Sequence, residues 1–188
     1  MKTIAFLLAV GGLLTICGCV PLSLVPYYTE KDLVLEPGLI GSWDSGDGNE
    51  EVIFEEADSN GYAMIDRDST GEVHFDVHLF KLGGKLFMDL SPQGLCGGMN
   101  PLLEVHLIPG HSLLRVDRIE PTLMTASLND AWMKERMKED PGALAHVITD
   151  DRLVLTASTE EIQAFLVKHM DDKGAFDEPS EMRRHRKR

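Results

Sequence analysis

The chain has 188 residues, enough for one domain with a sizeable core. Its formal charge is −13. Five positive charges crowd into Arg183 to Arg188 and Lys2 is the one charge in residues 1–18, which leaves residues 19–182 at about −19. A body that acidic serves solubility and repels phosphate backbones and anionic head groups, which argues against nucleic-acid binding as the main task.

The chain opens with a positive residue, Lys2, and then an apolar run over Ile4–Val10 and Leu13–Ile16, interrupted by Gly11 and Gly12. That layout, closing on Ile16-Cys17-Gly18-Cys19, is the layout of a secretory signal. The last four residues resemble a bacterial lipobox, in which an aliphatic residue and a small residue precede the cysteine that takes the lipid. Cys19 fits that role, with Gly18 directly before it and Ile16 three residues upstream. Cys17 fits poorly because Ile16 would sit at the cut. Soluble secretion and an uncleaved anchor are the competing readings. A spanning helix needs roughly 20 predominantly apolar residues, and this run is broken by two glycines. Cleavage would leave 170 residues with Cys96 as the one remaining thiol besides the acylated Cys19, so no internal disulfide is expected. The residue after the anchor, Val20, is not an aspartate. In the sorting system that this resembles, such a residue does not retain the protein at the inner membrane.

Residues 19–38 read as a lipidated tether punctuated by Pro21, Pro26 and Pro37, with Tyr27-Tyr28 able to pack back on the domain. From Leu39 the rhythm is that of short antiparallel strands. Leu39–Trp43, Glu51–Glu55, Tyr62–Asp66, Glu72–Leu82 and Lys85–Leu90 are separated by turn sequences such as Asp58-Ser59-Asn60-Gly61 and Gly83-Gly84. Turns this regular predict a meander, sandwich or barrel. Leu103–Ile108, Ser112–Ile119 and Thr122–Ser127 are further strands. Asn129 predicts the N-cap of a helix over Asp130–Lys138, and Ser158-Thr159-Glu160-Glu161 is a capping box for a second helix running to about Met170. Leu144–Val147 is ambiguous, Arg152–Thr156 reads as the last strand, and residues 174–188 read as a polar, basic flexible tail.

The Gly41-x-Trp43 pair at the head of the meander resembles the first-strand motif of lipocalins and related small β-barrels. The resemblance implies a barrel whose closed end is plugged by the tryptophan. Gly41-Ser42-Trp43, Leu79 to Gly84 and Leu86 to Leu90 together also look like small bacterial lipoproteins of unassigned function, a likeness that implies no activity. The expected fold is therefore α+β: an antiparallel meander over residues 39–173, closed or half-closed as a small barrel, with two helices in the C-terminal half.

His74-x-Asp76-x-His78 places two histidines and a carboxylate on one face of a strand. Neighbours two apart are roughly 7 Å apart and the outer pair about twice that, so the three do not ligate one ion from a straight strand. His106 or His111 would complete a site if their strands were neighbours; otherwise the row is solvated or lines a lumen. Glu160 and Glu161 are accounted for at a helix N-terminus, and Glu55-Glu56 borders a turn. Nothing beside Cys96 lowers its pKa toward a nucleophile. No nucleophile elbow, phosphate loop, zincin motif or paired CxxC occurs, and the scattered methionines read as core filler, so no cofactor, metal or catalytic residue is assigned.

These features lead to a module lipid-anchored through Cys19 in the cell membrane or outer membrane, facing the periplasm. Its expected role is non-catalytic binding of an envelope protein or a small ligand. A barrel with an open lumen favours the small ligand and a lumen filled by side chains favours the protein. The alternative is an envelope hydrolase or metal-dependent enzyme built from separated His, Asp and Glu residues.

Overall fold

A computed structural model describes residues 20–46, 50–57, 60–94 and 107–185. Cys17, Cys19, Cys96 and His106 lie outside the described residues, as does most of the strand expected over residues 103–108; Leu107 and Ile108 themselves are not in a strand.

Eight antiparallel strands close into a barrel: β2 (Gly41–Asp44), β3 (Glu51–Ala57), β4 (Gly61–Asp68), β5 (Gly71–Leu82), β6 (Lys85–Pro92), β7 (Ser112–Arg118), β8 (Thr122–Ser127) and β11 (Ser180–Arg184). Neighbours in the barrel are neighbours in sequence from β2 to β8, and β11 joins β8 back to β2. The two-residue alternation of a strand sorts the side chains. Trp43, Val52, Phe54, Tyr62, Met64, Val77, Leu79, Met88, Leu90, Leu114, Val116, Leu123 and Met182 pack together in the lumen.

The outer wall carries a second core. Phe80, Phe87, Leu113 and Ala126 pack against α1 (Asp130–Glu139), α2 (Thr159–His169) and a three-stranded sheet of β1 (Leu22–Ser23), β10 (Arg152–Leu155) and β9 (His146–Thr149). Both helices start as their sequences predict. The Asn129 side chain accepts from the Trp132 N–H at 2.7 Å, and Ser158 and Glu161 form the reciprocal capping box. α2 buries Ile162, Phe165 and Leu166.

Two expectations are corrected. The basic tail is not frayed over Ser180–Arg184: this is the closing strand, paired with β8 through Met182↔Leu123 and with β2 through Arg184↔Trp43. Its sequence conceals it because Met182 is its one apolar residue, packed in the lumen. Residues 20–38 are not a free tether either. Pro21, Ser23 and Tyr27 are buried, Leu22–Ser23 pairs with β10, and the Val34 N–H donates to Leu79 O across the barrel wall at 2.9 Å. The prolines punctuate an extended segment whose backbone groups are satisfied by the barrel and by α2, where Thr159 Oγ1 donates to Pro26 O and Gln163 Nε2 to Tyr27 O. Arg152–Leu155 forms β10, and His146-Val147 at the end of the ambiguous stretch opens β9, both outside the barrel.

Candidate functional site

Alternation along β5 directs Val77 and Leu79 into the lumen, so His74, Asp76 and His78 project from the outer wall, not into the barrel. The three do not converge. His74 Nε2 lies 2.9 Å from Glu72 Oε1 on the exposed rim, where Glu72 also pairs with Arg67. Asp76 accepts from Gln93 Nε2 at 2.7 Å. His78 is half-buried: its ring stacks on Tyr28 with centroids 4.7 Å apart, and its other side lies over Gly61 of the neighbouring strand. A Cβ at position 61 would stand 2.9 Å from His78 Nε2 and 3.0 Å from Val77 O, so glycine is what lets the imidazole lie flat on the wall.

A different carboxylate organises this wall. Asp89 faces outward from β6, directly across the ladder from His78, and is fully buried. Its Oδ2 accepts the Tyr27 N–H at 2.8 Å and its Oδ1 lies 2.7 Å from His111 Nδ1. His111 also exchanges backbone hydrogen bonds with Ser23. Asp89 thus ties the incoming N-terminal segment to β6 and to the start of β7. Burial, with Asp89 second, pushes the Tyr27 phenol far above its usual range. Tyr28 is raised to about 12 by burial and then by Asp89, Asp76 and Glu30. Burial lowers the His78 imidazole, against the opposing pull of Asp89 and Asp76.

An Asp–His pair of this kind fixes a tautomer and leaves the second ring nitrogen for other work. No hydroxyl or thiol is hydrogen-bonded to His111 among the described residues; the nearby Ser23 Oγ donates to Val25 O at 2.7 Å. Among the described residues no three His, Cys, Asp or Glu side chains gather as a metal-ligand set. Asp89 was legible only as a lone carboxylate in the apolar strand Leu86–Leu90, and its partners arrive from residues 27 and 111.

The lumen is the second candidate. The space left for the centre of a water-sized sphere is about 40 Å³. One water needs roughly 10–15 Å³ by that measure, and drug-sized ligands occupy cavities of roughly 300–1,000 Å³. Met64, Met88, Met182 and Phe54 line the space, and Glu50, Asp66 and Thr125 stand at its polar end. Asp66 Oδ1 is buried without a hydrogen-bond partner; burial, then Asp68, raises that carboxyl above its ordinary value.

A third concavity, of about 480 Å³ by the same measure, runs between α1 and α2. Its charges are mixed and largely paired. Arg136 binds Glu139, and Glu161 serves the Ser158 cap. No helix among the described residues is long and apolar enough to cross a membrane.

Comparison of the chain with protein-family models, with curated proteins and with solved structures finds no match.

Proposed function

We propose that this chain is an envelope lipoprotein, anchored through an acylated Cys19 after removal of residues 1–18, whose domain is a non-catalytic binding module for a protein partner. The anchor rests on the Ile16-Cys17-Gly18-Cys19 sequence. The observation that carries the choice of partner is the filled lumen. A barrel with about 40 Å³ to spare holds a few waters, not a metabolite or lipid, so recognition falls to its outer surface.

The test is the intact mass of the protein extracted from its native membrane, beside a Cys19→Ala variant, followed by cross-linking in the intact envelope. The expected result is a wild type that lacks residues 1–18 and carries acyl mass absent from the variant, with a discrete protein cross-link. An unmodified Cys19 overturns the anchor. An acylated protein that cross-links to no protein overturns the module.

The Asp89–His111 pair favours one second reading, a hydrolase in which His111 is the base. His111→Ala and His78→Ala variants separate the two. A hydrolytic activity of the purified protein that is lost in His111→Ala would establish the enzyme. Wild-type envelope phenotype in both variants would remove it.

A further inference from the structure

The lipid anchor and the first strand are adjacent in sequence, and this fixes where the bilayer lies. Val20 follows Cys19 directly, Pro21 and Ser23 are buried, and Leu22 is already paired with Val154. Three residues span at most about 11 Å when fully extended, whereas the headgroup layer on each side of a bilayer is roughly 5–8 Å deep. A domain attached so closely stands at most a few ångströms clear of the headgroup layer.

The surface beside that attachment point carries an apolar row, with Arg152 and Thr149 at the far end of the same sheet face. Across the three-stranded sheet, Leu22, Val154 and Val147 form one row, because Leu22 pairs with Val154 and Val154 with Val147. Paired residues share a face, and adjacent strands lie about 4.8 Å apart, so the row is about 10 Å wide. It faces away from the core, since Ser23 and Leu155 form the buried row beside it. Leu24 continues the Leu22 side and is 44% exposed; Val147 is 52% exposed. Ile108, 76% exposed, stands in the approach to β7, two residues before Gly110. Gly110 lies so close to Leu22 that a Cβ there would stand 3.3 Å from the Leu22 side chain.

We infer that this face, built from Leu22, Leu24, Ile108, Val147 and Val154, is the surface on which the domain rests on the bilayer, with its side chains in the headgroup layer. The inference depends on the lipoprotein reading above. Apolar contact drives it, because an acidic body gains nothing from anionic lipid. The seating is therefore insensitive to salt and holds on zwitterionic lipid. It also fixes the orientation of the barrel, so that the binding surface is presented at a constant height above the membrane.

The test uses the full acylated protein purified from its native membrane and reconstituted in phosphatidylcholine–phosphatidylethanolamine vesicles with brominated acyl chains. Tryptophan is introduced singly as Ile108→Trp, Val147→Trp and, as a control at the exposed rim of the barrel, Val73→Trp. The buried Trp43 and partly buried Trp132 supply the background. Intact mass first establishes the acyl group. The expected result is loss of the added emission at positions 108 and 147, unchanged in high salt, and none at 73. An acylated, vesicle-bound protein unquenched at both 108 and 147 overturns the seating and leaves the anchor standing. Quenching equal at all three positions overturns it as well. A protein without acyl mass overturns the anchor reading and the seating with it. A photo-cross-link from position 147 to another protein in the native envelope, in place of lipid quenching, assigns the face to that partner and overturns the lipid surface.

Discussion

The guanidinium of Arg184 lies 4.5 Å from the centre of the Trp43 ring, and it reaches past the ring to donate to Gly38 O and Ile40 O. The last strand of the barrel is thereby locked to the segment that enters it. Trp43 is fully buried, and its Nε1 donates to Leu39 O at 2.9 Å. Gly41 makes the approach possible: its φ is +131° and a Cβ there would stand 2.6 Å from Arg184 Nη1. Arg184→Ala removes a ring contact and charge-assisted hydrogen bonds to two carbonyls, and is expected to cost on the order of 3 kcal/mol in urea unfolding. Arg184→Lys is expected to recover only part of this, because a point charge does not match the planar fork.

Truncation after Lys173 removes β11 and leaves β2 and β8 as open edges. The truncated chain is expected to lose cooperative thermal unfolding and to aggregate at concentrations where the full chain is monodisperse, measured by calorimetry and light scattering. A cooperative transition at the full-length temperature would show that closure by β11 is dispensable.

Asp66 is held in the lumen with one oxygen unpartnered and its carboxyl raised. The folded state binds this proton more tightly than the unfolded state, so stability declines as pH rises through the carboxylate range and the deficit persists at neutral pH. Asp66→Asn is expected to stabilise by about 1 kcal/mol at pH 7. The gain should shrink toward zero as pH falls below the ordinary 3.8, which denaturant titrations at pH 7 and pH 3 would measure.

His78 has the opposite sign. Burial lowers its imidazole below the ordinary 6.5, so the unfolded chain takes up a proton that the folded chain resists. Its contribution is complete above pH 6.5 and is lost as pH falls from there toward the lowered value. His78→Gln is expected to flatten the decline in stability between pH 7 and pH 5, read from unfolding midpoints. A slope identical to wild type would place the titration elsewhere.

Ser158 and Glu161 cap α2 reciprocally, with Ser158 N donating to Glu161 Oε2 at 2.9 Å. Ser158→Ala is expected to cost about 1 kcal/mol in chemical unfolding. Because α2 also holds the N-terminal segment through Thr159 and Gln163, amides near Tyr27 should exchange faster in this variant.

The strands from Gly41 to Leu90 and from Ser112 to Ser127 were legible as short apolar stretches bounded by turn residues, with a two-residue alternation along Glu72–Leu82. The helices were legible because Asn129 and Ser158–Glu161 announce their starts. The site was less so. His74, Asp76 and His78 share a strand face, but only His74 has a local partner, Glu72 on its own strand; Gln93 meets Asp76 from beyond β6, and Tyr28 and Gly61 meet His78 from other segments. Asp89 and His111 come together from positions 22 residues apart, each unremarkable in its own stretch.

By itself the sequence determined what depends on neighbours along the chain: the signal-like start, the strand rhythm, the helix caps, and hence an antiparallel α+β domain. The tertiary structure alone decided what depends on partners distant in sequence. Met182 identifies β11 only once Leu123 lies beside it, and Leu22 joins the sheet only because β10 offers an edge. Side chains from eight strands meet in the lumen and fill most of it, a packing that no single stretch reveals. Local preference writes itself into short windows of residues, whereas closure of a barrel is a long-range pairing, and no window contains both of its strands.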